Sequence, residues 1–226
     1  MKKRYLVLSS GAVFEGYALG AEGEGLGELV FTTNMCGYPE TLTDPSYAGQ
    51  IILQTFPLIG NYGIIPEDFE GECRARGYVV REACEAPSNF RCQMTLDAFL
   101  KERGVPAIMG VDTREITRIL REEGVMNALI CDAVPSDLSD LRAYAIHGAV
   151  AAASVREKQE SPCENARFRV ALLDYGAKHN IVRELNRRGC HVSILPHDTA
   201  AEDVLSGGYD GVMLSNGPGD PADNTD

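Results

Sequence analysis

The stretch RVALLDYGAKHNIVRELNRRGCHVSILPHDTAAEDVLSGGYDGVMLS, residues 169–215, carries the rhythm that decides the fold. RVALLDY is a near-continuous apolar run, the pattern of a strand covered on both faces. AKHNIVRELNRRG then shifts to helical spacing and stops at Gly189, and HVSILP returns to strand. TAAEDVLSGG reads as a helix opened by a capping box from Thr199 to Glu202, and GVMLS as a last short buried strand. Strand, helix, strand, helix, strand is the opening of a parallel, doubly wound α/β sheet. Three strands are few for such a sheet, so the domain reads as the first part of a larger one.

The turn that follows, Asn216 to Pro221, holds two glycines and two prolines. Open α/β sheets bind ligands outside the carboxyl ends of their strands, which makes the bare backbone of Gly217 and Gly219 a candidate binding edge. The plainer reading of the same glycines is a tight turn that needs positive φ. Asp174 and Lys178, at the end of the first strand of this domain, stand on the same edge either as site residues or as a structural ion pair or loop anchor.

Outward from this stretch, toward the amino terminus, the rhythm changes. RYLVLSSGAVFEGYALG (4–20) predicts two strands around Ser9, Ser10 and Gly11, and ELVFTT, QIILQTF, GYVVRE, VPAIMGV and NALICD predict five more. Two helices interrupt them. In TLDAFLKERG, Thr95 caps, Leu96, Phe99 and Leu100 share a face, and Gly104 closes. In DTREITRILREEG, Asp112 or Thr113 caps, Ile116, Ile119 and Leu120 face inward, and Gly124 terminates. SDLSDLRAYAIHG is a third amphipathic stretch, leading into small residues and then mixed charges near Glu157 to Phe168. The expected fold class is therefore α/β: a strand-rich α+β domain over 1–150, a linker over 151–168, and part of a doubly wound domain over 169–226.

The formal net charge of −12 on 226 residues disfavours nucleic acid and anionic membrane surfaces as partners, leaving a small molecule or another protein. No apolar run approaches the roughly 18 residues of a membrane helix, and MKKRYLVLSSG breaks too early for a signal peptide, so a cytoplasmic location is expected. Seven cysteines, at 36, 73, 84, 92, 131, 163 and 190, form no CxxC pair, which argues against zinc and against a disulfide framework. Cys131 and Cys190 read as inert core thiols and Cys36 as the most exposed. His147, His179, His191 and His197 read as surface or capping histidines.

Three groups of residues carry a family resemblance: GEGLGELVFTTNMCGYPETLTDPSYAGQIILQTFPLIGNYG (23–63) with VDTREITRILREEG (111–124), LLDYGAKHNIVRELNRRGC (172–190), and LSNGPGDP (214–221). Together they resemble the small, glutamine-hydrolysing subunit of carbamoyl-phosphate synthase, over essentially the whole chain. LSNGPGDP is shared more loosely with other class I glutamine amidotransferases, such as GMP or anthranilate synthase components, which lack the N-terminal domain.

The resemblance implies a subunit that releases ammonia from L-glutamine and delivers it to a large subunit, where ATP, magnesium and bicarbonate make carbamoyl phosphate for arginine and pyrimidine biosynthesis. It implies a heterodimer and no cofactor on this chain. It assigns Ser46, in TDPSYAGQ, to glutamine contact, and Gly217 and Gly219 to glutamine binding and the oxyanion hole. It also implies no catalytic residue within the chain, because the family's nucleophilic cysteine, histidine and glutamate are expected beyond Asp226, so the 226-residue chain by itself is expected to be inactive. The alternative is a non-catalytic docking module for the large subunit.

Overall fold

The computed structural model describes residues 1–223, which fall into two compact units. The first comprises Met1–Thr43, Gly49–Phe69 and Cys73–Ile146; the second comprises Asp44–Ala48, Glu70–Glu72 and the chain from His147 onward. Two short early segments thus belong with the later unit.

In the first unit the strands β1 (Lys3–Leu8), β2 (Val13–Gly20), β3 (Gly25–Thr32), β4 (Gln50–Gln54), β6 (Gly77–Val80), β8 (Pro106–Met109) and β9 (Met126–Cys131) close into a barrel ordered β1-β2-β8-β6-β4-β3-β9. The run β3, β4, β6, β8 is parallel throughout, and the remaining pairings are antiparallel. The minor strands β5 (Leu58–Ile59) and β7 (Glu82–Ala83) form a separate parallel pair. The helices are α1 (Tyr38–Thr43), α2 (Leu96–Glu102), α3 (Thr113–Glu123) and α4 (Ser139–Ala143).

Inward residues of the strands, Leu6, Leu8, Leu29, Ile51, Leu53, Val79, Ile108 and Ile130, form one core that also takes in Ile116 and Leu120 of α3. Burying each such aliphatic side chain contributes about 1.5–3 kcal/mol, so two of them suffice to hold an 11-residue helix against the strands. The caps are as the sequence predicts: Thr95 Oγ1 accepts from Ala98 N at 3.2 Å, and Asp112 Oδ1 from Glu115 N at 3.0 Å. Gly104 and Gly124 follow their helices at φ +66° and +89°, where a side chain would be strained.

Arg4 places a charged side chain in this interior. Its guanidinium is almost fully buried and donates to Asp132 Oδ1 (3.1 Å) and to the carbonyls of Ala21 (3.0 Å), Ala107 (3.2 Å) and Leu19 (3.3 Å). That set of acceptors is what makes the buried charge tolerable.

The second unit contains α5 (Ala149–Ala153), β10 (Gln159–Ser161), β11 (Phe168–Asp174), α6 (His179–Arg187), β12 (Cys190–Pro196), α7 (Ala201–Ser206) and β13 (Gly211–Leu214). Its sheet runs β10-β12-β11-β13, with β11 parallel to both neighbours and β10 antiparallel to β12. The fold class is the expected one, with four differences of detail.

Gln159–Ser161 adds a fourth strand where three were expected, its polar sequence giving no strand signal. β13 is not buried: Val212 and Leu214 are 55% and 64% exposed, because among the described residues the strand pairs only with β11. The capping box at Thr199 does not form, since the Thr199 hydroxyl donates to Pro196 O (2.7 Å) and α7 begins after Ala200 without a side-chain cap. The amphipathic stretch 136–148 is helical only over Ser139–Ala143; the chain leaves the helix at Tyr144, passes through Gly148 at φ +60°, and enters α5 in the small-residue run. Among the described residues no helix is long and apolar enough to cross a membrane.

Candidate functional site

The second unit brings together the carboxyl ends of β11 and β13 and the early segment Asp44–Ala48. Asp44 begins that segment by accepting from Ser46 N (3.0 Å), capping a single 3₁₀ turn over Pro45–Tyr47. Its other oxygen holds Lys178 Nζ at 2.8 Å, and this carboxylate raises the lysine's pKa above its ordinary value. Lys178 is therefore in an ion pair, but with Asp44 and not with the Asp174 that the sequence offered, because the Asp174 carboxylate is taken by backbone donors.

Asp174 is a loop anchor. Buried at the end of β11, it accepts from Gly176 N (3.0 Å), Ala177 N (2.7 Å) and Val155 N (2.7 Å). Three backbone donors around one carboxylate fix the β11–α6 turn, and Gly176 takes φ +118° within it. The first N–H groups of α6 are satisfied from Glu70: His179 N donates to its carbonyl (2.9 Å) and Asn180 N to its carboxylate (3.0 Å).

The residues after β13 are tied to this turn by two bonds and to Ser46 by a third. Tyr175 N donates to Ser215 Oγ (2.9 Å), and Asn216 Nδ2 donates to Gly176 O (3.2 Å) and Ser46 Oγ (3.0 Å). Pro218 is buried, and a Cβ on Gly176 would come within 2.9 Å of its ring.

Gly217 and Gly219 sit exposed on either side of Pro218, and the two glycines are there for different reasons. Gly219 has φ +79°, whereas Gly217 lies so close to Tyr175 that a Cβ would meet its carbonyl oxygen at 2.3 Å. Among the described residues, neither glycine's N–H has a protein acceptor, and the Ser46 hydroxyl proton has none either. Donors left open at the carboxyl edge of a parallel sheet suit a ligand carrying carbonyl or carboxylate oxygens.

Ser46, Gly217 and Gly219 were singled out in the sequence and lie in this one unit. Asn216, which links Ser46 to the β11–α6 turn, was passed over as part of a turn motif. Its signal is chemical, since an amide at a strand end can bridge two loops, but its partners are distant in sequence.

The cysteines lie elsewhere in character. Cys131 and Cys190 are buried, and burial pushes the Cys131 thiol up to about 11. Cys73 is raised in the same direction by burial, and Cys36 is exposed. His191 is bound to Glu160 (3.0 Å), and the Nδ1 of His197 is buried with no partner among the described residues.

The family model for the carbamoyl-phosphate synthase small chain, CPSase domain, matches residues 6–130. The chain belongs to the carbamoyl-phosphate synthase small-chain family. The model for class I glutamine amidotransferases matches residues 171–226, which include the carboxyl end of β11, all of β13 and the turn after β13.

Among similar proteins, the carbamoyl phosphate synthase small chain of Listeria monocytogenes serotype 4b (strain F2365) is 49% identical over 228 residues, covering 99% of this chain and 62% of the relative. That of Bacillus caldolyticus is 46% identical over 227 residues, covering 98% and 62%. The chain therefore spans about 62% of the length of these relatives.

Proposed function

We propose that this chain contributes the glutamine-binding half-site of a carbamoyl-phosphate synthase small subunit. The observation that carries the reading is the exposed pair Gly217 and Gly219, whose N–H groups have no acceptor among the described residues, in the same unit as Ser46, whose hydroxyl proton has none among them either. In this reading Ser46 donates to the substrate's polar end. The N–H groups of Gly217 and Gly219 receive the oxyanion that forms when a thiolate attacks the side-chain amide. Donors already fixed in place, with no competing partner among the described residues, need little reorganisation at that moment.

The thioester chemistry requires a cysteine, a histidine to activate it and a carboxylate to orient the histidine, and in this reading all three come from sequence beyond Asp226. The 226-residue chain by itself then releases no ammonia. The partner is a large subunit that binds ATP and magnesium and uses the ammonia in a cytoplasmic ligase serving arginine and pyrimidine synthesis.

The test is ammonia release by the protein continued to the length of its relatives and assembled with its large subunit. Ser46→Ala should raise the KM for glutamine about tenfold while kcat changes by less than about threefold, the signature of lost substrate binding. An unchanged KM would remove Ser46 from the site. Ammonia release by the 226-residue chain that survives replacement of all seven cysteines would sink the thiolate mechanism.

A further inference from the structure

The first unit contains a cavity of about 930 Å³ that has no part in the glutamine reading. Thr33, Thr55, Arg81 and Asp112 on its wall follow the carboxyl ends of β3, β4, β6 and β8, the four strands of the barrel that run parallel. Carboxyl ends of parallel strands are where α/β sheets take ligands, so the location alone makes the cavity worth reading chemically.

The helix α3 forms another wall and supplies Thr113, Arg114, Glu115, Thr117, Arg118 and, from its last turn, Arg121. Arg118 is committed, binding Glu115 at 2.6 Å and Glu122 at 2.9 Å, and Asp112 is occupied as the cap of α3. Among the described residues Arg121, 5.4 Å over the Phe31 ring, has no hydrogen-bond acceptor, and the Arg81 side chain makes one long bond, 3.4 Å, to Val111 O. Among the described residues neither the Arg114 guanidinium nor its backbone N–H has a partner.

Thr113 is the decisive residue. It is 4% exposed, it lines the cavity, and its hydroxyl has no partner among the described residues, whereas Thr117 beside it donates to Thr113 O at 2.7 Å. A hydroxyl without a partner among the described residues, on a lining residue at the first position of an 11-residue helix, adds a donor to the helix's positive end. Hydroxyl, helix N–H and guanidinium forks together match the oxygens of a tetrahedral anion.

We propose that this cavity binds the phosphoryl group of a small phosphorylated molecule, held by Thr113, Arg114 and Arg81. A chain of net charge −12 repels anions in general, so such binding would have to come from a local constellation.

Calorimetric titration of the 226-residue chain with pyrophosphate at low ionic strength tests this. We expect saturable binding below about 1 mM, with inorganic phosphate weaker and citrate weaker still. Arg114→Ala, at an exposed and unpaired position, should weaken pyrophosphate about tenfold or more, and Thr113→Val by about threefold, with Thr113→Ser restoring wild-type affinity. Arg187→Ala on α6 should change nothing. No binding up to about 10 mM, an equal loss in Arg187→Ala, or citrate binding as tightly as pyrophosphate would each overturn the proposal. Glutamine binding plays no part in this readout, so it stands or falls apart from the glutaminase reading.

Discussion

Asn216 Nδ2 lies 3.0 Å from Ser46 Oγ, although 170 residues separate the two in sequence. A single partly buried amide–hydroxyl bond contributes about 0.5–1.5 kcal/mol. A double-mutant cycle with Ser46→Ala and Asn216→Ala, measured by urea unfolding, should therefore give a coupling energy near 1 kcal/mol. Because Asn216 also donates to Gly176 O, its own replacement should cost more than that of Ser46. Strictly additive effects would mean that the two side chains do not meet in solution.

The two loop glycines should respond differently to alanine. At Gly219 the strain is conformational, φ +79° with the nearest atom, Ala149 Cβ, 3.6 Å from the new methyl, and the substitution should cost about 1 kcal/mol. At Gly217 the methyl would sit 2.3 Å from the backbone oxygen of Tyr175, which cannot rotate away, so the loop must move and the cost should exceed about 2 kcal/mol. Equilibrium unfolding of the two variants ranks them; the reverse order would contradict the close approach.

Arg4→Met should destabilise the protein by about 1–3 kcal/mol, since it removes a buried guanidinium whose Nε and Nη1 donors are bound to Asp132 and three carbonyls. The loss is bounded because Asp132 keeps Lys2 at 2.6 Å and is itself partly exposed. Urea titration checks this, and a neutral result would show that hydrophobic packing replaces the carbonyl contacts.

Glu160 gives a pH dependence with a definite sign. Hydrogen bonds from Lys158, Ser193 and His191 lower its pKa from the usual 4.5 to about 2, against a smaller opposing effect of burial. A carboxylate depressed in the folded state stabilises fully above the unfolded value and loses that contribution as pH falls from 4.5 through 2. The stability gap between wild type and Glu160→Gln should thus shrink over that window. Its size should stay below about 1 kcal/mol, because the side chain is 45% exposed and water screens the pairs. A gap that widens on acidification would rule out the assigned partners.

Much of the local structure was legible before any coordinates. The strands of the barrel, α2 and α3 with their caps, and the order β11, α6, β12, α7, β13 all follow from apolar period and punctuation, which act within a few residues. The errors fall where local signals compete with partners elsewhere. Thr199 found a nearer acceptor in Pro196 O, the polar strand Gln159–Ser161 exists because β12 offered an edge, and β13 is apolar yet exposed because its outer edge is unpaired among the described residues. Glycines at 217 and 219 marked the binding loop, but why each is glycine was not readable, since one answers to its own φ and the other to a neighbour's carbonyl.

What the sequence by itself determined is therefore the strongly patterned elements, the family, and the residues worth watching. What only the tertiary structure decided is which of them meet. It placed Ser46 beside Asn216 and Lys178 on Asp44, surrounded the Asp174 carboxylate with three backbone donors, and set Thr113 on the wall of a cavity. The physical reason is range. Propensity, capping and period are properties of a dozen neighbouring residues, whereas a hydrogen bond across 170 residues exists only once packing has brought its two ends to 3 Å.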